Sequence, residues 1–194
     1  MKIVLWILFG IGLVWLLLNF SVQWHNEPYN DEFGEKSSRN SVLVIYHPDA
    51  IKDLDHQLAV AAAKEMVSNG YFAAVATVPF VTKVDAGRFQ KLIIIANTYN
   101  WSPDWAVSDW VKNSSILKGK EVFAITLGSG STKTAQRELE NLLQVKEVIL
   151  KRSIPLWLLR PNVEGRESQS NVELAKEVLV QELNKHFIDI HSGS

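Results

Sequence analysis

Leu92-Ile93-Ile94-Ile95-Ala96 running into Asn97-Thr98-Tyr99-Asn100-Trp101-Ser102-Pro103, and Val122-Phe123-Ala124-Ile125-Thr126-Leu127 running into Gly128-Ser129-Gly130-Ser131-Thr132, decide how this chain folds. Each opens as a short, continuous apolar run rich in branched side chains, the pattern of a strand covered on both faces. Each then breaks into a polar loop. Residues 104–111 between them read as a helix. Open α/β sheets bind ligands outside the carboxyl ends of their strands. A site is therefore expected between these two loops.

Working outward, Val42-Leu43-Val44-Ile45-Tyr46 is a third run of the same kind and the first strand of the domain. Residues 55–69 carry Leu58, Ala61, Ala62, Met66 and Val67 at helical spacing, and Gly70 follows in the position that ends a helix. Residues 72–78 are the second strand. Residues 85–90 make a turn or short helix, and Gly119-Lys120 turns into the fourth strand. Residues 132–143 form a helix on Ala135, Leu139, Leu142 and Leu143, with Ser131 or Thr132 as its cap. The fifth strand is residues 145–150 or 154–159. A loop over 161–170 leads to a last helix over 172–187, capped by Ser170 or Asn171. Strands alternating with helices imply right-handed βαβ units and a parallel sheet. The expectation is a three-layer, doubly wound α/β domain of five strands over residues 41–190.

The chain has 194 residues, a formal charge of −1 and 47% hydrophobic side chains, enough for a sizeable core. Its near-neutral balance gives no electrostatic ground for a nucleic-acid partner. Cys is absent, which removes disulfides, thiolate catalysis and Cys-ligated metals. The string around Ser129 is not Gly-x-Ser-x-Gly, and no His follows at a persuasive place, so hydrolase chemistry is not indicated. No Gly-x-Gly-x-x-Gly follows the first strand, so nothing requires a dinucleotide. His47, Asp49, Asp53, Asp55 and His56 match no metal motif and read as a solvated loop capping the first helix of the domain. Asp104, Asp109 and Glu138 read as solvated helix faces.

The N-terminal residues 1–24 are apolar over 3–22, apart from Gly, Asn19 and Ser21. This length predicts an uncleaved single-pass membrane anchor, with Trp24 and Tyr29 at the interface and Trp6 and Trp15 facing lipid or a partner helix. A cleaved signal peptide and a buried soluble helix are the alternatives. Residues 25–40 are polar and read as a juxtamembrane linker.

From residue 41 to 187 the order and spacing of elements resemble the flavodoxin family, most closely over 92–143. The resemblance rests on Leu92-Ile93-Ile94-Ile95, on Tyr99-Asn100-Trp101-Ser102-Pro103, on the Gly119-Lys120 turn and on Gly128-Ser129-Gly130-Ser131 after the fourth strand. It implies strand order 2-1-3-4-5 and an FMN ring held between two loops. Thr98, Tyr99, Asn100 and Trp101 would form the first loop, and Gly128, Ser129, Gly130, Ser131 and Thr132 the second. Tyr99 or Trp101 would stack on the ring, and the glycines would let backbone N–H groups approach it.

The loop after the first strand departs from the family. It reads His47-Pro48-Asp49-Ala50-Ile51-Lys52-Asp53-Leu54-Asp55, with no Gly, Ser or Thr and with acidic groups where a phosphate is expected. His47 and Lys52 are the residues here that could face a phosphate, with Arg160 or Lys83 as outside help. The functional expectation is a membrane-anchored FMN protein that carries electrons or reduces a small acceptor, with a redox protein or a quinone as partner. The alternative is a flavin-free, membrane-tethered binding or assembly module.

Overall fold

The alternation of the strand residues settles the layering. The computed structural model describes residues 2–23, 27–49, 53–81 and 85–188. Among these, β2 (Ser41–Tyr46), β3 (Phe72–Thr77), β4 (Lys91–Tyr99), β6 (Glu121–Gly128) and β7 (Ile149–Trp157) are the five expected strands. Val42, Val44, Ile93, Ile95, Phe123 and Ile125 point to one side of the sheet, where α2 (Leu54–Ser68) and α6 (Asn171–His186) cover them. Leu43, Ile45, Leu92, Ile94, Val122 and Ala124 point to the other side, against the short α3 (Val78–Val81), α4 (Trp105–Asn113) and α5 (Thr132–Val145). Period-2 alternation in which both faces bury apolar groups requires a helix layer on each side.

With an edge strand β1 (Asn30–Phe33), the sheet order is β1-β3-β2-β4-β6-β7, and β3, β2, β4, β6 and β7 are parallel throughout. In chain order of the five main strands this is 2-1-3-4-5. The fifth strand straddles both predicted stretches, because its first four residues are exposed at the sheet edge and carry no burial signal. Pro155 is accommodated in this edge strand.

Two strands among the described residues were not expected. Residues 30–33, placed by sequence in a polar linker, form β1 (Asn30–Phe33) antiparallel to β3. The buried Thr77 hydroxyl pins the chain that leads into it, donating to the Glu27 carbonyl at 3.0 Å and accepting from the Tyr29 N–H at 2.9 Å. The other is β5 (Ser102–Pro103), a two-residue return strand on β4.

The expected membrane anchor and membrane localisation are corrected. Residues 2–23 do form a helix, α1 (Lys2–Gln23). Yet among the described residues no helix is long and apolar enough to cross a membrane. The unbroken apolar stretch, residues 3–18, ends at Asn19. It rises about 24 Å at ~1.5 Å per residue, against a hydrocarbon core of about 30 Å.

A buried cation staples the far end of the sheet from the loops. Lys91, at the start of β4, is 4% exposed. Its ammonium donates to Glu121 of β6 at 2.6 Å and to the Phe187 carbonyl after α6 at 2.8 Å. Lys91→Met is expected to cost about 1–2 kcal/mol, since Glu121 keeps Lys151 at 3.3 Å while the Phe187 carbonyl loses its donor. Urea denaturation measures this, and an unchanged midpoint would remove Lys91 from the stabilising set.

Candidate functional site

The loop after β4 is a tight hairpin. Tyr99 pairs with Ser102 and Thr98 with Pro103, leaving Asn100 and Trp101 as the two turn residues. Both have positive φ, 49° and 68°. A two-residue hairpin with both φ positive favours Asn-Gly. Asn tolerates this conformation, whereas a bulky residue there is strained. Trp101 occupies the position that suits Gly, and its side chain is 62% exposed at the hairpin tip. Core packing does not account for a large ring held out in a costly backbone conformation.

Asp104 closes the base of the hairpin. It is fully buried, which corrects the reading of a solvated helix face. One carboxylate oxygen accepts the Val107 N–H at 2.9 Å and so caps α4; the other accepts the Asn97 N–H at 3.0 Å. Asp109 and Glu138 are exposed, as expected.

The second loop approaches from β6. A side chain on Gly128 would place its Cβ 2.5 Å from Thr132 Oγ1 and 2.8 Å from Thr98 Cβ. The residue must therefore be Gly for the two strand ends to lie side by side. The Thr98 and Thr132 hydroxyls, on either side of this contact, are buried and have no hydrogen-bond partner among the described residues. Buried hydroxyls without partners are unusual and call for an explanation, such as a bound water or ligand.

Between the loops lies a cleft of about 490 Å³, a size suited to a small organic ligand. Thr98, Tyr99, Asn100 and Trp101 form one wall, and Gly128, Ser129, Gly130 and Ser131 the other. Thr132 lies just beneath, fully buried, where α5 begins. His47 is buried and does not line the cleft; its Nδ1 lies 3.7 Å from Asp104, so it faces inward rather than toward a ligand. Sequence reasoning left Trp15, Asp49, Asn97, Leu127 and Leu158 off the list of lining residues. Proximity of β4, β6 and β7 ends explains Leu127 and Leu158, but no local pattern in α1 marks Trp15. Lys52 and Lys83 lie outside the described residues. The Arg160 guanidinium lies over the Trp157 ring, 5.1 Å from its centroid, and is not part of the cleft. Among the described residues no group of His, Asp and Glu could hold a metal ion.

A buried polar network supports the floor. Asn97 Nδ2 donates to the His47 carbonyl at 3.2 Å and to Asp55 at 3.0 Å, tying the end of β4 to the loop after β2. Burial raises the Asp55 pKa, although the Asn97 amide and the His56 and Asp49 N–H groups oppose this. Burial likewise pushes Asp104 up to about 7, opposed by the Val107 and Asn97 N–H groups and reinforced by the Asp55 charge. Burial and the nearby Asp49 charge push the Tyr99 hydroxyl upward, so it stays protonated.

The Asp104 shift has a consequence for stability. The folded protein retains a proton that the unfolded chain releases above its ordinary value of 3.8. Where the native state binds more protons, stability falls as pH rises. The window runs from that value to about 7, and Asp55 acts with the same sign. Glu32 and Glu121 are shifted the opposite way, but they act below their ordinary value of 4.5. The thermal midpoint is expected to be higher near about pH 5 than near about pH 7.5. Asp104→Asn is expected to flatten the profile. A midpoint that rises with pH through this window would contradict the assignment.

No family model and no curated protein matches the sequence. Solved structures do. Oxidised flavodoxin 2 from Bacillus cereus aligns with a TM-score of 0.55 at 14% identity, over 75% of this chain and 99% of that one. General stress protein 14 from Treponema denticola, solved in complex with FMN, aligns with a TM-score of 0.53 at 11% identity, over 75% and 98% of the two chains. Two-electron reduced flavodoxin from Megasphaera elsdenii aligns with a TM-score of 0.53 at 10% identity, over 72% and 98%. Identities this low speak to architecture alone, and on that level the layers, the strand order and these alignments agree: the chain has the flavodoxin-like α/β fold.

Proposed function

We propose that this chain binds a flavin ring in the cleft between the β4–β5 hairpin and the loop after β6, and serves as an electron carrier. FMN is the flavin that the T. denticola neighbour holds. The observation that carries the proposal is the convergence of the two loops on Gly128, with the buried Thr98 and Thr132 hydroxyls unpartnered among the described residues and Trp101 strained outward at the mouth.

A bound isoalloxazine ring supplies one- and two-electron chemistry of its own. The residues of this chain have simpler work. Trp101 offers an aromatic face, and Tyr99 adds a second ring on the same wall. Gly128 and Gly130 line the opposite wall with no side chain in the way, while Ser129 and Ser131 add hydroxyls. No side chain is required to act as acid or base. An electron partner, a redox protein or a small acceptor such as a quinone, would meet the ring at the exposed mouth beside Trp101.

Titration of the full chain with a flavin, followed by flavin fluorescence, tests this. Saturable quenching at one flavin per chain is expected. Unquenched emission would sink the proposal and leave the second reading, a flavin-free binding module, which the acidic loop after β2 favours.

A further inference from the structure

An anion is expected at the start of α2, where the first strand of the domain delivers its loop to a helix N-terminus and backbone N–H groups converge. In this chain the protein supplies that anion itself. Asp55, 2% exposed, lies in the first turn of α2. Its Oδ2 accepts the N–H of Asp49 at 2.6 Å and the Asn97 amide at 3.0 Å. Its Oδ1 accepts the N–H of His56 at 2.7 Å. Three donors at this helix start, the Asp49 and His56 N–H groups and the Asn97 amide, are thus turned onto an internal carboxylate, and Pro48 contributes no N–H.

The rim adds to this. Asp49 lines the cleft on the side of that loop, next to Tyr99, with Asp104 buried below. Among the described residues no Lys or Arg lines the cleft. A phosphate dianion held by these three donors would have to displace Asp55 from them and also lie against the Asp49 carboxylate. Both steps cost free energy, and nothing described in the cleft offsets them. The ring half of the site is intact, with its glycine contact and its unpartnered hydroxyls.

We infer that the site selects a flavin without a phosphate, of the riboflavin class, with Asp49 accepting a hydrogen bond from a hydroxyl of the ligand's side chain. This rests on the flavin reading above and narrows it. A hydroxyl donates to a carboxylate, whereas a phosphate oxygen is repelled by it, so one residue both attracts the first ligand and rejects the second.

The test compares riboflavin and FMN on the full chain by fluorescence quenching. Riboflavin is expected to bind at least about tenfold more tightly, corresponding to ~1.4 kcal/mol. Flavin released from the purified protein by heating is expected to run as riboflavin on chromatography. FMN binding as tightly as riboflavin, or more tightly, would overturn this inference and leave the flavin reading standing. Quenching of neither would overturn the flavin reading itself, and this inference with it. Asp49→Ser, at a half-buried surface position, is expected to improve FMN binding more than riboflavin binding; equal changes would also count against the inference.

Discussion

Gly128→Ala is expected to lower folding stability by about 2–3 kcal/mol and to weaken flavin binding at least about tenfold. The added methyl would sit 2.5 Å from Thr132 Oγ1 and 2.8 Å from Thr98 Cβ. Rotation could move a hydroxyl, but Thr98 Cβ is fixed by the backbone of β4. Thr132 is itself fully buried at the start of α5. The strand ends must therefore separate, and the two walls of the cleft with them. Guanidinium denaturation with a flavin titration of the same sample measures both effects. A variant as stable as the parent would show that the two loops are not in contact as described. Loss of stability with full flavin binding would place the ligand elsewhere.

Trp101→Gly is expected to act in opposite directions on stability and binding. The backbone at residue 101, with φ 68°, is one that Gly adopts freely and Trp does not. Relief of that strain outweighs the larger entropy of Gly in the unfolded chain, for a net gain of about 0.5–1 kcal/mol. The ring is lost, so flavin binding weakens by about 1–3 kcal/mol, by analogy with base–aromatic stacking. Trp101→Ala separates the two effects: it removes the ring but keeps a Cβ at positive φ, so binding falls and stability does not rise. If flavin affinity is unchanged in both variants, Trp101 is not part of the site. If Trp101→Gly is less stable than the parent, the exposed ring packs on something and the strain argument fails.

The sequence shows most where burial is two-sided. Leu92 to Ala96, Val122 to Ile125 and Val42 to Tyr46 are apolar at every position because a helix layer covers each face, and their order is the 2-1-3-4-5 that the flavodoxin resemblance implies. Strands at the edges leave less trace. Asn-Asp-Glu-Phe at 30–33 is polar and reads as linker; pairing with β3 and the buried Thr77 make it a strand. Asp104 reads as a solvated helix face, and only the folding of the hairpin over it buries it. Asn100-Trp101 lacks the Gly of a favoured hairpin turn, so the turn itself was not legible. Such local conflicts gather at functional sites. The long apolar N-terminus reads as a membrane span if Asn19 and Ser21 are passed over, but its unbroken part, residues 3–18, is too short.

The walls of the cleft were legible because glycine, serine and aromatics follow two central strands. The phosphate end was legible only as an anomaly. Three acidic residues in that loop read as solvent-exposed, whereas Asp55 turns inward and gathers N–H donors onto itself.

The most direct measurement is the amide NMR spectrum of the full chain recorded as flavin is added. Both loops should respond together, with the amides of residues 98–101 and 128–132 shifting along one saturation curve while those of α6 stay in place. Shifts confined to another surface, such as the groove between Val78 and Trp110, or no shifts at all, would contradict a flavin site between the two loops.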